Sequence, residues 1–141
     1  MKDKSIELLL VEDDEVDVMN VQRAFKKNNI INKLHVAGNG LEALAMLRGE
    51  GVESIRPKTK LILLDINMPK MNGIEFLHEL RKDPALHPLT VFVLTTSNQD
   101  RDKFDAYSLN VAGYILKPVE MQVFMAAVAT LDMYWSLIEL P

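Results

Sequence analysis

Short apolar runs alternate with amphipathic stretches along most of the chain. Four of the runs are almost unbroken: Ile6–Val11, Leu61–Leu64, Thr90–Leu94 and Gly113–Leu116. Runs of this length without polar alternation are typical of strands that are buried on both faces, as in a parallel sheet. A weaker strand is predicted between the first two runs, at Lys33–Ala37.

An amphipathic stretch follows each predicted strand. The first runs from about Glu15 to Asn28. Its apolar residues Val18, Val21 and Phe25 share one face at helical spacing. The segment Glu50–Thr59 is polar, contains glycine and proline, and predicts a long loop. Four further helices are predicted at about 41–49, 74–83, 97–109 and 119–135.

Strands that alternate with helices indicate a parallel sheet with helices on both of its faces. Right-handed crossovers then favour a doubly wound α/β fold built from five βα units. The 141 residues are enough for one such domain. We therefore expect a single domain over residues 1–141, with no output domain after the fifth helix.

Composition narrows the classes of function. The chain has no cysteine, which excludes disulfides, thiolate metal sites and cysteine nucleophiles. Its formal net charge of −4 and its lack of a Lys/Arg cluster argue against direct binding of nucleic acid. No apolar run approaches the roughly 20 residues of a membrane helix. We expect a cytoplasmic protein that does not bind membranes.

Polar side chains stand where the buried strands end. The carboxyl ends of open α/β sheets share one edge, where ligands bind, so polar residues at these ends are expected to converge. Acids at the start of a helix are also favoured by the helix dipole, and Asp14, Glu15 and Asp17 are interpreted in this way. The residues that end the first, third, fourth and fifth strands are Glu12-Asp13, Asp65, Thr95 and Lys117.

Clustered carboxylates raise one another's pKa values unless a cation compensates for their charge. Mg²⁺ is commonly held by one or two carboxylates, and a lysine supplies a second positive charge. A carboxylate can be a nucleophile toward phosphorus, and a metal and a lysine can neutralise the transferring oxygens. The edge therefore predicts delivery of a phosphoryl group onto a carboxylate. Asp65, which ends a buried strand, is the candidate acceptor.

Four motifs, in this order, resemble the receiver domains of two-component response regulators. They are Leu9–Asp14, Leu63–Pro69 followed by Gly73, Leu94–Thr96 and Gly113–Pro118. The resemblance extends from Ile6 to about Trp135. It implies a flavodoxin-like (βα)5 sheet with strand order 2-1-3-4-5. It also implies signalling rather than enzymatic turnover, with at most slow autodephosphorylation.

The resemblance implies a phosphorylation site and a metal site at named positions. Asp65 corresponds to the aspartate that accepts a phosphoryl group from a histidine kinase or a phosphotransfer protein. Glu12 and Asp13 correspond to the acidic pair that positions Mg²⁺ or Mn²⁺ together with Asp65. Asn67 corresponds to the residue whose main-chain carbonyl completes the protein ligands of the metal.

The resemblance also implies a conformational switch. Thr95 corresponds to the hydroxyl that moves toward the phosphoryl group, Lys117 to the lysine that pairs with it, and Tyr114 to the aromatic that changes rotamer. Phosphorylation would then change the surface formed by the fourth helix, the fifth strand and the fifth helix. The side chains of Asn67 and Ser97 lie where they could steer a hydrolytic water.

Two segments are similar to those of single-domain regulators that serve bacterial phytochromes and related sensor kinases. They are the long loop Glu50–Thr59 and the apolar segment Tyr134–Pro141. The apolar segment either docks on its own domain or forms a homodimer contact, because exposed apolar segments often mark interfaces. The sequence predicts neither the cognate kinase nor the downstream protein partner.

Three alternatives compete with this interpretation. Asp65-Ile66-Asn67 also resembles the nucleophile region of aspartate-dependent phosphatases, which usually carry a second acid at the position of Asn67. A flavin-binding module would need a phosphate-cradling loop after the first strand, but Glu12–Glu15 is acidic there. The third alternative is a receiver-like protein that no longer accepts phosphate, and the complete set of residues argues against it.

Overall fold

Five strands form one sheet in the computed structural model of the chain, which describes residues 6–51, 53–66, 71–95, 109–117 and 119–128. The order across the sheet is β2-β1-β3-β4-β5, and every neighbouring pair is parallel. The predicted doubly wound α/β fold and its strand order are therefore confirmed. The strands are β1 (Glu7–Val11), β2 (Leu34–Ala37), β3 (Thr59–Asp65), β4 (Thr90–Thr95) and β5 (Gly113–Leu116).

The helices that the structure describes correspond to the first, second, third and fifth predicted helices. They are α1 (Glu15–Lys27), α2 (Gly40–Arg48), α3 (Gly73–Lys82) and the 121–128 helix (Met121–Val128). The fourth predicted helix lies outside the described residues except at its end, and so do positions 129–135 of the fifth and the segment Tyr134–Pro141. Within the described residues, no helix has both the length and the apolarity needed to cross a membrane.

Side-chain contacts explain where two of the helices begin. Asp14 caps α1, because its Oδ1 accepts hydrogen bonds from the backbone N–H groups of Val16 and Asp17 at 2.8 and 3.2 Å. Asn72 and Glu75 form a capping box at the start of α3, with both reciprocal hydrogen bonds at 3.0 Å. Asp14 comes directly after the acids that follow β1, and Asn72 comes seven residues after Asp65, the acid that ends β3.

Alternating strand residues divide the core between the two faces of the sheet. On one face, Leu10 packs in a cluster with Phe25 of α1 and Phe124 of the 121–128 helix. The rings of these two phenylalanines lie 5.6 Å apart. On the other face, Val11 packs in a second cluster with residues of α2 and α3, including Leu77. The sheet is thus covered on both faces, and α1 and the 121–128 helix lie side by side.

β3 begins two residues before the predicted start at Leu61. Thr59 is buried, and its hydroxyl donates a hydrogen bond to the carbonyl of Ile55 at 2.9 Å. Thr59 also pairs with Glu7 of β1, and the register shifts between Glu7 and Leu8. The predicted end of the loop Glu50–Thr59 was therefore wrong. Pairing with β1 extends the strand into polar residues that the apolar pattern does not include.

Arg81, in the last turn of α3, connects this helix to the segments that precede β4 and β5. Its guanidinium donates hydrogen bonds of 2.6 to 3.1 Å to four backbone carbonyls, those of His87, Leu89, Leu109 and Asn110. Burial lowers the pKa of the guanidinium, which nevertheless stays protonated at neutral pH. One side chain thus joins three segments at the edge opposite the acidic residues.

Candidate functional site

Three buried polar residues lie at the carboxyl ends of neighbouring strands. Glu12 directly follows β1, Asp65 is the last residue of β3, and Thr95 is the last residue of β4. Their exposed fractions are only 2%, 6% and 6%. Because β3 pairs with β1 on one side and with β4 on the other, Asp65 stands between the other two residues. Polar groups that are buried at this edge require partners within the protein in place of bulk water.

Lys117, which directly follows β5, supplies a positive charge to the acidic residues. Its side chain is 9% exposed, and its Nζ lies 2.5 Å from Oε2 of Glu12 and 3.4 Å from Oδ1 of Asp65. Its backbone N–H donates a hydrogen bond of 2.9 Å to the carbonyl of Thr95. This bond extends the pairing of β4 and β5 by one residue. The strand pairing therefore fixes the position from which the lysine side chain reaches the acids.

The electrostatics of the edge follow from burial and from these contacts. Burial raises the pKa of the Glu12 carboxyl to about 7, against the opposing effect of Lys117 and with a further rise from the charge of Asp65. Burial alone would lower the pKa of the Lys117 ammonium, but its contacts with Glu12 and Asp17 raise that pKa above its ordinary value. Lys117 is therefore positively charged, and a second cation nearby would favour the ionised form of Glu12.

Three carboxylates form a compact set of oxygen ligands. One oxygen each from Glu12, Asp13 and Asp65 lies within 4.8 Å of the others. Glu12 and Asp65 are buried whereas Asp13 is exposed, so a cation held between them would keep one side open to solvent. Mg²⁺ requires oxygen ligands and retains several waters beside one or two carboxylates. The residues present therefore fit a divalent cation such as Mg²⁺ or Mn²⁺.

The backbone at the start of α3 closely approaches the end of β3, where Asp65 lies. The N–H of Gly73, the first residue of α3, donates a hydrogen bond of 2.6 Å to the carbonyl of Ile66. A Cβ atom at Gly73 would lie 2.6 Å from the carbonyl oxygen of Asp65 and 2.6 Å from Cα of Ile66. Only glycine lets the two backbones approach this closely. Gly73 therefore holds the start of α3 against the end of β3.

The sequence profile of the response regulator receiver domain matches residues 8–129. This range includes all four strand ends that form the acidic edge. The chain is a response-regulator receiver domain. Among its relatives is the response regulator Rcp1 of Synechocystis sp., which is 36% identical over 128 residues, or 91% of this chain and 87% of Rcp1.

Solved structures of receiver domains show the same fold. The bacteriophytochrome response regulator AtBRR has a TM-score of 0.83 at 33% identity, covering 96% of this chain and 98% of AtBRR. The phosphorylated cyanobacterial phytochrome response regulator RcpA has a TM-score of 0.76 at 35% identity, covering 92% and 93%. The Mn²⁺-bound form of Rcp1 has a TM-score of 0.73 at 33% identity, covering 96% and 99%. The expected similarity to regulators of phytochromes is confirmed.

The structure of this receiver domain describes most of the residues that the resemblance singled out. Tyr114 of β5 is half-buried and packs against the cluster on the α2–α3 face of the sheet. Asn67 and Ser97 lie outside the described residues. The residues that lie together at the carboxyl edge are Glu12, Asp13, Asp65, Thr95 and Lys117.

Asp17 makes a contact at the carboxyl edge of the receiver domain that the sequence did not indicate. Asp17 was interpreted as an acid that suits the start of a helix, and it does lie in the first turn of α1. However, its Oδ2 also accepts a hydrogen bond of 2.9 Å from Nζ of Lys117. The two residues are 100 positions apart in the chain, so no local pattern could have predicted the pair.

Proposed function

We propose that Asp65 accepts a phosphoryl group from a histidine kinase or a phosphotransfer protein and that Mg²⁺ or Mn²⁺ assists the transfer. The observation that carries this proposal is the position of the Asp65 carboxylate. It is buried at a strand end, belongs to the group of three carboxylates and lies 3.4 Å from the Lys117 ammonium. A nucleophile and the positive charge of Lys117 therefore lie at one point, and the three carboxylates could hold a cation as a second positive charge.

Each residue has a separate part in the proposed reaction. A carboxylate oxygen of Asp65 forms a bond to phosphorus while the P–N bond of the phosphohistidine breaks, and the imidazole nitrogen keeps the electron pair. Glu12 and Asp13 would hold a divalent cation with Asp65, and the carbonyl of Asn67 would complete the protein ligands. When bound, such a cation would supply positive charge against the phosphoryl oxygens. The Lys117 ammonium stabilises the same oxygens from the side of β5.

Phosphorylation would then bias a switch. The phosphoryl group adds negative charge and strong acceptor oxygens at the end of β3. The hydroxyl of Thr95 and the ammonium of Lys117 move toward these oxygens, and Tyr114 occupies the space that Thr95 leaves. The surface of the fourth helix, β5 and the fifth helix changes as a result, and a downstream protein binds to the changed surface. The side chains of Asn67 and Ser97 set the rate at which water removes the phosphoryl group.

The relatives support this assignment. RcpA was solved in its phosphorylated form and Rcp1 in an Mn²⁺-bound form. AtBRR and RcpA are response regulators of phytochromes. We infer that the partner of this receiver domain is a sensor histidine kinase of the same general class. The role is one of signalling in the cytoplasm, with no substrate turned over beyond slow loss of the phosphoryl group.

Phosphorylation of the purified protein tests the proposal. Incubation with Mg²⁺ and acetyl phosphate should add one phosphoryl group, which intact mass spectrometry detects and peptide mapping assigns. Asp65→Asn should abolish the addition, because the amide is not a nucleophile toward phosphorus. Asp13→Asn is the matched control, since it leaves the acceptor in place and should label Asp65 only at higher Mg²⁺ concentration. Labelling of Asp65→Asn at the native level would refute the proposal.

A further inference from the structure

Lys117 has three carboxylate neighbours, and one of them has no other assigned part in the site. Its Nζ lies 2.5 Å from Glu12, 2.9 Å from Asp17 and 3.4 Å from Asp65. Glu12 and Asp65 also belong to the group of three carboxylates that fits a divalent cation, and Asp17 does not. The ammonium is therefore closer to Glu12, which follows β1, and to Asp17 of α1 than it is to Asp65.

The contact between Lys117 and Asp17 is direct and well enclosed. The lysine side chain is 9% exposed and that of Asp17 is 29% exposed. A cavity of only about 10 Å³ adjoins the pair, lined by residues that include Glu12, Asn20 and Val119. This space is at the lower limit for a single water molecule, and the lysine contacts Asp17 directly at 2.9 Å.

We infer that Asp17 is a positioning residue that holds Lys117 away from Asp65 and competes with the phosphoryl group for the lysine. The inference rests on the proposed function, because it assumes that the phosphoryl group is added at Asp65. An ammonium has three N–H donors, and a charged partner roughly doubles the strength of each hydrogen bond. Lys117 already faces three carboxylates, so movement of the ammonium toward a phosphoryl oxygen at Asp65 competes with its 2.9 Å bond to Asp17.

The negative charge of Asp17 also indicates that this residue competes with the phosphoryl group for Lys117. Asp17 adds a negative charge beside a site that is to receive further negative charge on the phosphoryl oxygens. Its carboxylate contacts Lys117, and among the described residues Lys117 is the cation that forms an ion pair with Asp65. The unphosphorylated state is thereby favoured over the phosphorylated one. Removal of the Asp17 charge should shift this balance toward the phosphorylated state.

The affinity for a phosphoryl mimic measures how far Asp17 disfavours the phosphorylated state. Fluorine NMR separates free beryllofluoride from beryllofluoride bound to the carboxylate, and its dissociation constant is measured at saturating Mg²⁺. Asp17→Asn should bind beryllofluoride about fivefold more tightly than the native protein, because one charge-assisted hydrogen bond no longer has to be lost. Asp17→Glu, which retains the charge, should return the dissociation constant toward the native value.

Glu15→Gln is the matched control. Glu15 is exposed in the same first turn of α1, so its replacement removes one negative charge and the same interaction with the helix dipole. It should change the affinity for beryllofluoride less than twofold. Unchanged or weaker binding by Asp17→Asn, or equal tightening by both variants, would overturn the inference. If the native protein does not bind beryllofluoride at all, the proposed function itself fails as well.

Discussion

Replacing Gly73 by alanine should displace the backbone at the end of β3 without replacing any charged residue of the site. The added Cβ would lie 2.6 Å from both the carbonyl oxygen of Asp65 and Cα of Ile66. Ordinary van der Waals contact begins at 3.4 Å, so the two backbones must separate by about 0.8 Å, the difference between the two distances. Both neighbouring atoms belong to the backbone and cannot rotate away. The strain must therefore displace the backbone of Asp65 and Ile66 at the end of β3.

The expected loss of stability combines opposing effects. Forcing an extra methyl group into a packed site costs about 1–3 kcal/mol. Loss of the hydrogen bond from Gly73 to Ile66 adds about 1 kcal/mol. The greater helix propensity of alanine offsets at most about 1 kcal/mol of this loss of stability, and it offsets less at the first position of a helix. The unfolding free energy should therefore fall by about 2 kcal/mol.

Urea unfolding followed by circular dichroism measures this loss, and beryllofluoride affinity at saturating Mg²⁺ reports the displacement of Asp65. The affinity should fall about tenfold, because a displacement of about 1 Å can cost far more than this in a preorganised site. Gly38→Ala is the matched control. A Cβ there would lie 3.4 Å from the flexible side chain of Glu42, so stability should change by less than about 0.5 kcal/mol. Native stability and native affinity in Gly73→Ala would refute the reasoning.

Two further predictions concern contacts away from the acidic edge. Arg81→Lys should lower the unfolding free energy in urea by about 2 kcal/mol, because an ammonium cannot reproduce four hydrogen bonds in a fixed planar geometry. Arg48→Lys, which alters an ion pair with Asp83, should cost less than about 1 kcal/mol, and an equal loss in both variants would contradict this account. The contact with His35 lowers the pKa of the Glu7 carboxyl, so Glu7→Gln should lose about 1 kcal/mol of stability above pH 4.5. That difference should close as the pH falls through the lowered pKa, and a pH-independent difference in urea titrations would show that another interaction is responsible.

The parts of the fold that were predicted from sequence are those with a local signal. Apolar runs without alternation identify buried parallel strands, and β5 was predicted with the bounds that the structure has. The acidic edge could be predicted because parallel strands place their carboxyl ends at the same edge of the sheet. The observed register, with Val11 opposite Leu64 and Thr95 opposite Leu116, then brings Glu12, Asp65 and Lys117 into contact distance.

The features that were missed depend on contacts between distant parts of the chain. The start of β3 at Thr59 is set by pairing with Glu7, more than fifty positions earlier. Arg81 has the sequence context of an ordinary basic residue at the end of a helix, but it serves carbonyls that precede two different strands. The sequence around Asp17 indicates only an acid in the first turn of a helix. Its contact with Lys117 arises because Lys117 directly follows β5, which lies far along the chain. Long-range pairing determines each of these, and a single sequence does not record it.

The separation of Lys117 from its acidic partners also has a consequence for synthesis of the chain on the ribosome. At about 5–20 residues per second, the 100 residues between Asp17 and Lys117 take roughly 5–20 s to translate. Until Lys117 has been translated, the three carboxylates that it contacts in the folded domain, those of Glu12, Asp17 and Asp65, lack their ammonium. The ammonium that neutralises these carboxylates thus becomes available only after the last strand of the sheet has been made.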